Sequence, residues 1–201
     1  MKNKNKNKNK VEQYFEQKSF SIIEIVLLVI SVICVFVAIF VQGGIPMGLP
    51  VLLVCVVVFC VLRSFKVKDA EIEQILNKII EDNAIERSEN TIECYDLKST
   101  LKKKRNDGKF VSSKYYISNI TFSAEATIFN VYSIDLVDKT VEKSSYTVNC
   151  NEKINLNEEF VRISGGSVSV AYLEFLSCLI PVTLKDYKTA ELVEKICEKH
   201  K

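Results

Sequence analysis

The chain has 201 residues, 48% of them hydrophobic, and a formal net charge of only +2. Its one histidine, His200, leaves no basis for His-based triads or most metal centres. The seven cysteines, Cys34, Cys55, Cys60, Cys94, Cys150, Cys178 and Cys197, are odd in number and scattered without a C-x-x-C. That pattern argues against a disulfide framework or a zinc site and fits free thiols in a reducing cytosol.

Residues 1–20 open with a Lys-Asn repeat that cannot build a core, so a disordered basic tail is expected there. Two apolar runs follow, Ile22–Val41 and Ile45–Phe65, separated by the uncharged link Gln42-Gly43-Gly44. Each is close to the ~20 residues a helix needs to cross the hydrocarbon core, and the helix is the simple spanning element because it satisfies its own backbone. Residues 21–66 thus read as a transmembrane hairpin. Pro50 suits a first helical turn and suggests that the second helix becomes regular near Leu49. Glu24, the one charge in the first run, lies near an end and is expected to reach the interface. Lysines before the first run, and Arg63, Lys66 and Lys68 after the second, flank an uncharged loop. The positive-inside rule then puts both termini in the cytoplasm of a multi-pass cell-membrane protein.

Residues 67–90 read as an amphipathic linker helix. Asp69 is a plausible cap, and Ile72, Ile75, Leu76, Ile79 and Ile80 recur on one face to about Glu86. Charge is locally lopsided: Asp69–Asn90 holds seven acidic and two basic residues, Lys98–Lys109 six basic and one acidic.

From Thr91 to the end, residues 91–201, the texture is β-rich and closes on a helix. Strands are expected at Thr91–Leu97, Phe110–Ile117, Ile120–Ala126, Thr127–Val137, Thr140–Cys150 and Cys178–Leu184, with a further hairpin between Phe160–Ile163 and Val168–Leu176. Turns are signalled by Asn106-Asp107-Gly108, Asp138-Lys139 and Gly165-Gly166. Ile128, Tyr132, Ile134 and Leu136 are assigned one half-buried face. Val168–Ile180 fits either a strand pair or a helix stopped at Pro181, while Glu174 at its centre argues against a third span. Asp186 caps a last helix with Leu192, Val193, Ile196 and Cys197 on its apolar side, and His200 falls where fraying is expected. The fold class is α+β: about seven antiparallel strands in a small barrel or sandwich, with terminal helices.

No phosphate-cradling glycine loop is present, and Glu158-Glu159 are neighbours that do not face one another. No catalytic residue, metal site or cofactor is assigned. The candidate ligand or lipid site is the basic stretch Lys98, Lys102, Lys103, Lys104, Arg105 and Lys109. Anionic lipid heads would attract such residues by ~1 kcal/mol each near the surface, and a nucleotide phosphate or nucleic acid offers similar charge. The plain reading is a solvated hairpin tip balancing the acidic helix.

The stretch Leu179-Ile180-Pro181-Val182-Thr183-Leu184, followed by Asp186 and an amphipathic helix, is similar to the end of the YcxB-like group of bacterial two-span membrane proteins with pleckstrin-homology-like domains. The resemblance implies a seven-stranded barrel capped by the last helix and a binding or scaffolding role without catalysis. The outline also resembles two-span anti-phage effectors, whose β-barrel senses a cyclic nucleotide before the membrane is disrupted. The sequence reading is therefore an integral membrane protein presenting a non-catalytic domain at the inner leaflet. Its partners would be anionic lipid, a nucleotide ligand or a protein, with no specific nucleic acid and with homo-oligomerisation left open.

Overall fold

The computed structural model describes residues 9–17, 20–40, 45–105, 107–163 and 166–200. The Lys-Asn repeat at 1–8, the link Gln42–Gly44 and Gly165 of the third turn signal lie outside them. The chain forms two compact units: residues 16–68, and a β-rich unit of residues 1–15 with 69–201.

The first unit contains two apolar helices, α2 (Ile22–Phe40) and α3 (Ile45–Ser64). Most of their large side chains are exposed, and both helices are long and apolar enough to cross a membrane. Helix α3 starts at Ile45 rather than near Leu49, so Pro50 lies inside it. The helices touch where Gly48 replaces a side chain: a Cβ there would lie 2.8 Å from the carbonyl oxygen of Cys34. Small residues let apolar helices approach to backbone contact in this way. The Glu24 side chain is 0% exposed, its carboxylate 2.6 Å from Lys66 Nζ and 3.6 Å from Arg63 Nε. The Ser21 N–H donates to it at 2.5 Å. A carboxylate taken from water needs such partners, because the desolvation cost is otherwise unmet. Nearby, the Gln17 side-chain amide donates to the Val67 carbonyl at 2.7 Å and accepts from the Val67 N–H at 3.1 Å.

The β-rich unit begins with a helix where a disordered tail was expected. Helix α1 (Lys10–Glu16) buries Val11, Tyr14 and Phe15, and their i, i+3, i+4 spacing makes one apolar stripe. Helix α4 (Asp69–Asp82) buries Ile72, Leu76, Ile79 and Ile80 and ends before Glu86. Ala84 turns left-handed at φ 47°. The Ile85 N–H reaches back to the Ile80 carbonyl at 3.0 Å, a Schellman closure that stops the helix.

Among the described residues nine strands follow: β1 (Thr91–Tyr95), β2 (Lys102–Lys104), β3 (Phe110–Ser112), β4 (Lys114–Phe122), β5 (Ala126–Asp135), β6 (Thr140–Asn149), β7 (Asn155–Ile163), β8 (Gly166–Phe175) and β9 (Cys178–Val182). They form antiparallel sheets in the orders β1-β4-β5-β6, β2-β3 and β7-β8-β9, none of them closed into a barrel. The ambiguous stretch Val168–Ile180 is a strand pair, turned at Leu176 and Ser177 with φ 45° and 62°, the left-handed pair of a two-residue hairpin. The Asp138-Lys139 turn is as expected, with Asp135 Oδ1 accepting from the Val137 N–H at 2.8 Å.

The core lies between the four-stranded and three-stranded sheets and helix α5 (Tyr187–Lys199), which contributes Leu192, Val193 and Ile196. The core face of β5 carries Phe129 and Val131, so the expected face of Ile128 and Tyr132 is displaced by one residue. Ile134 and Leu136 are buried on the opposite side, which hides the alternation. Asp186 caps α5, accepting from the Thr189 N–H at 3.0 Å.

His200 does not fray. It is 1% exposed, with Nε2 2.8 Å from Thr127 Oγ1 and Nδ1 3.0 Å from the Glu152 carbonyl. His200→Ala would strand the buried Thr127 hydroxyl, at a cost of about 1–3 kcal/mol. Denaturant unfolding of the full chain in detergent should show that loss as a lower midpoint with an unchanged slope.

Candidate functional site

The basic stretch folds into the hairpin β2–β3, with Lys102 opposite Ser112, Lys103 opposite Val111 and Lys104 opposite Phe110. Its turn closes through the Arg105 N–H on the Lys109 carbonyl at 2.8 Å. Gly108, at φ 85°, supplies the left-handed residue this closure needs.

Most of these cations are bound to the protein itself. Arg105, 15% exposed, places Nη1 2.5 Å from Glu73 and Nε 3.2 Å from Asp69 and 3.6 Å from Asp107. Burial works against its charge, but the three carboxylates outweigh it and hold the guanidinium above its ordinary range. Lys103 Nζ lies 4.1 Å from the Tyr14 ring centroid and donates to the Tyr14 carbonyl at 3.3 Å. Tyr14 in turn donates to Asp69 at 2.6 Å. Burial and that bond raise the Tyr14 phenol. Lys102 donates to the Leu97 carbonyl at 3.0 Å. Lys98 pairs with Glu159 at 3.0 Å and sits 4.2 Å above the Tyr172 ring. Lys104 and Lys109 are exposed.

The six residues are thus divided. Arg105 and Lys103 reach inward and gather Tyr14, which precedes the first apolar helix, with Asp69 and Glu73, which follow the second. Lys102 holds the Leu97 carbonyl instead, and Lys98 is exposed in its pair with Glu159. The sequence reading missed Tyr14, Asp69 and Glu73 as members of this cluster. The Val11, Tyr14 and Phe15 spacing is the signal that marks α1.

Beside the hairpin opens a cleft of about 1060 Å³ whose walls include Tyr95, Arg105, Phe110, Tyr115, Pro181 and Leu184. It runs along β1 and β9, edge strands of different sheets that lie close without a shared ladder. Cys94 Sγ meets Thr183 Oγ1 across this seam at 3.0 Å. Burial pushes the Cys94 thiol up to about 11, so it is neither a ready nucleophile nor a ready metal ligand. Tyr95 is likewise raised by burial, to about 12. Glu93 pairs with Arg87 and accepts from Tyr115 at 2.6 Å. Burial alone would raise its carboxyl, but those two partners outweigh it and hold it below the usual range. Among the described residues no group of three or more His, Cys, Asp or Glu is placed to hold a metal ion.

No family model, curated protein or solved structure matches the chain.

Two measurements follow from this geometry. Arg105→Gln removes the charge that Asp69 and Glu73 share and Tyr14→Phe removes one bond to Asp69, so each should speed amide hydrogen exchange over residues 10–16 and the start of α4, Arg105→Gln more strongly. Because the Glu93 carboxyl is lowered in the folded protein, its stabilisation is present at neutral pH. It is lost as pH falls from the ordinary glutamate value of ~4.3 through the folded one. Glu93→Gln should therefore lower the melting temperature at pH 7, with the gap to wild type closing in acid.

Proposed function

We propose that the chain is an integral membrane protein whose two apolar helices cross the bilayer. Its β-rich unit would act as a non-catalytic binding or scaffolding domain at the cytoplasmic leaflet. One observation carries the reading. The segments that lead into and out of the apolar pair, at Tyr14 and Asp69, are hydrogen-bonded to each other and held by one hairpin of the domain. A domain that merely followed an anchor in the chain would have no need to take in a segment from the other side of it. The lysine-rich flanks and the uncharged link support a cytoplasmic domain.

Binding rather than catalysis is supported by where the reactive groups are spent. Arg105, Glu93 and His200 each satisfy a neighbour, and the Cys94 thiol is kept protonated. The pleckstrin-homology-like resemblance rests on antiparallel strands closed by one amphipathic helix, and the unclosed sheets count against its barrel. Lipid contact would fall to Lys104 and Lys109, which limits it to about 2 kcal/mol at ~1 kcal/mol each.

A second reading, nucleotide sensing coupled to membrane disruption, is favoured by the position of the cleft. Its aromatic walls, Tyr95, Phe110 and Tyr115, offer stacking surfaces beside Arg105, the residue that holds Asp69.

Sealed vesicles with the cytoplasmic face inward separate these outcomes. Trypsin should spare residues 91–201 until detergent is added, and cleavage in intact vesicles refutes the orientation. A rise in the full chain's melting temperature with cyclic dinucleotides would favour the sensing reading over a scaffold.

A further inference from the structure

Among the described residues the three-stranded sheet ends on β7, whose ladder is with β8 and which has β2 close by without a shared ladder. Residues 155–160 of this strand are all exposed, and Phe160 is 83% exposed. Edge strands of soluble domains are usually blunted by proline, a bulge, shortness or charge, and of these β7 has only the charges of Glu158, Glu159 and Arg162. Here nine residues run without proline and pair β8 in unbroken register from Asn155 to Ile163.

The register fixes which side chains share a face. Leu156, Glu158, Phe160 and Arg162 stand opposite Leu173, Ala171, Ser169 and Ser167. Leu173 and Ala171 belong to the core, so Phe160 lies on the core-facing side of the sheet but beyond the part the core covers. An aromatic ring left in water on a continuous, unpaired strand is a surface that lacks its cover.

The charge pattern selects the cover. In an antiparallel pair related by a two-fold axis normal to the sheet, one residue faces its own copy and the rest pair symmetrically about it. With Phe160 at the axis, Glu158 of each copy faces Arg162 of the other, on the same face as the two rings. A pairing centred on Glu158 or Glu159 puts glutamate against glutamate, which is destabilising directly across strands. The Phe160-centred register stacks aromatic on aromatic and satisfies both charges twice. Glu159, on the opposite face, stays with its own Lys98.

We propose that β7 is a self-association edge, and that its occupant is β7 of a second copy of this chain, antiparallel and centred on Phe160. The two three-stranded sheets would become one six-stranded sheet across the dimer. This inference goes beyond the proposed function and does not depend on a ligand for the cleft.

The test uses the full chain in detergent. Phe160→Cys places a thiol on the two-fold axis, and mild oxidation should yield a dimer whose linked peptide, by mass spectrometry, joins position 160 to position 160. In that background Glu158→Arg and Arg162→Glu should each cut the cross-linked fraction at least fivefold, by setting like charges face to face. The double exchange should restore it. Light scattering of the protein with native Phe160 should follow the same order, and all these side chains are exposed, so the fold is left intact. A monomer at all concentrations overturns the proposal. So does a dimer that fails to link through position 160, which would assign association to the apolar helices, or cross-linking indifferent to the single exchanges.

Discussion

Asp69 is the carboxylate on which the arrangement of the β-rich unit turns. It accepts the Tyr14 hydroxyl and lies at ion-pair distance from Arg105, so three segments remote in sequence meet at one side chain. Its worth comes from partial burial. An exposed ion pair contributes about 0–1 kcal/mol, whereas removing one partner of a covered group leaves the others desolvated and unmatched. Arg105 is covered enough for this to matter, and Glu73 and Asp107 share the same guanidinium. The cluster has slightly more negative than positive charge, so Arg105 is the member that nothing else present can replace.

This accounts for the uneven charge along the chain. The acidic run from Asp69 and the basic run from Lys98 look in sequence like two solvated surfaces. In the fold they meet through Arg105, which pairs with Asp69 and Glu73, while Lys103 adds its cation to the ring and carbonyl of Tyr14. Charge that faces a carboxylate inside the domain is not available to an anionic surface. The hairpin acts first as a clasp on α1 and α4, and only its outer lysines, 104 and 109, keep the role of surface cations.

What could be read from sequence follows from how local each signal is. The apolar helices and the β5–β6 turn declare themselves in contiguous residues. Helix α1 was obscured because the Lys-Asn repeat ends only just before Val11, and seven residues give a stripe of three side chains. The phase of β5 was misread because both of its faces are buried along part of its length, Phe129 and Val131 on one and Ile134 on the other, which erases the period of two. Barrel closure needs ladders both between β1 and β9 and between β6 and β7, and no residue in any of these strands encodes that choice by itself. His200 was misjudged by position: its two ring nitrogens find Thr127 and the Glu152 carbonyl, partners far off in sequence.

The missing ladder has a mechanical consequence. The two larger sheets are joined by core packing, by α5 and by side-chain links: Cys94 with Thr183, Tyr172 with Asp96, and Lys98 with Glu159. Side-chain contacts give way at lower cost than a run of backbone hydrogen bonds, which must be broken together and resolvated. The seam between β1 and β9 is held by links of that kind, and the cleft opens along it. Arg105 stands on the wall of that cleft while holding Asp69 and Glu73. Any occupant that widened the seam or drew on Arg105 would act directly on the contact that gathers α1 and the start of α4. Such coupling needs no long pathway, because the site and the clasp share a side chain.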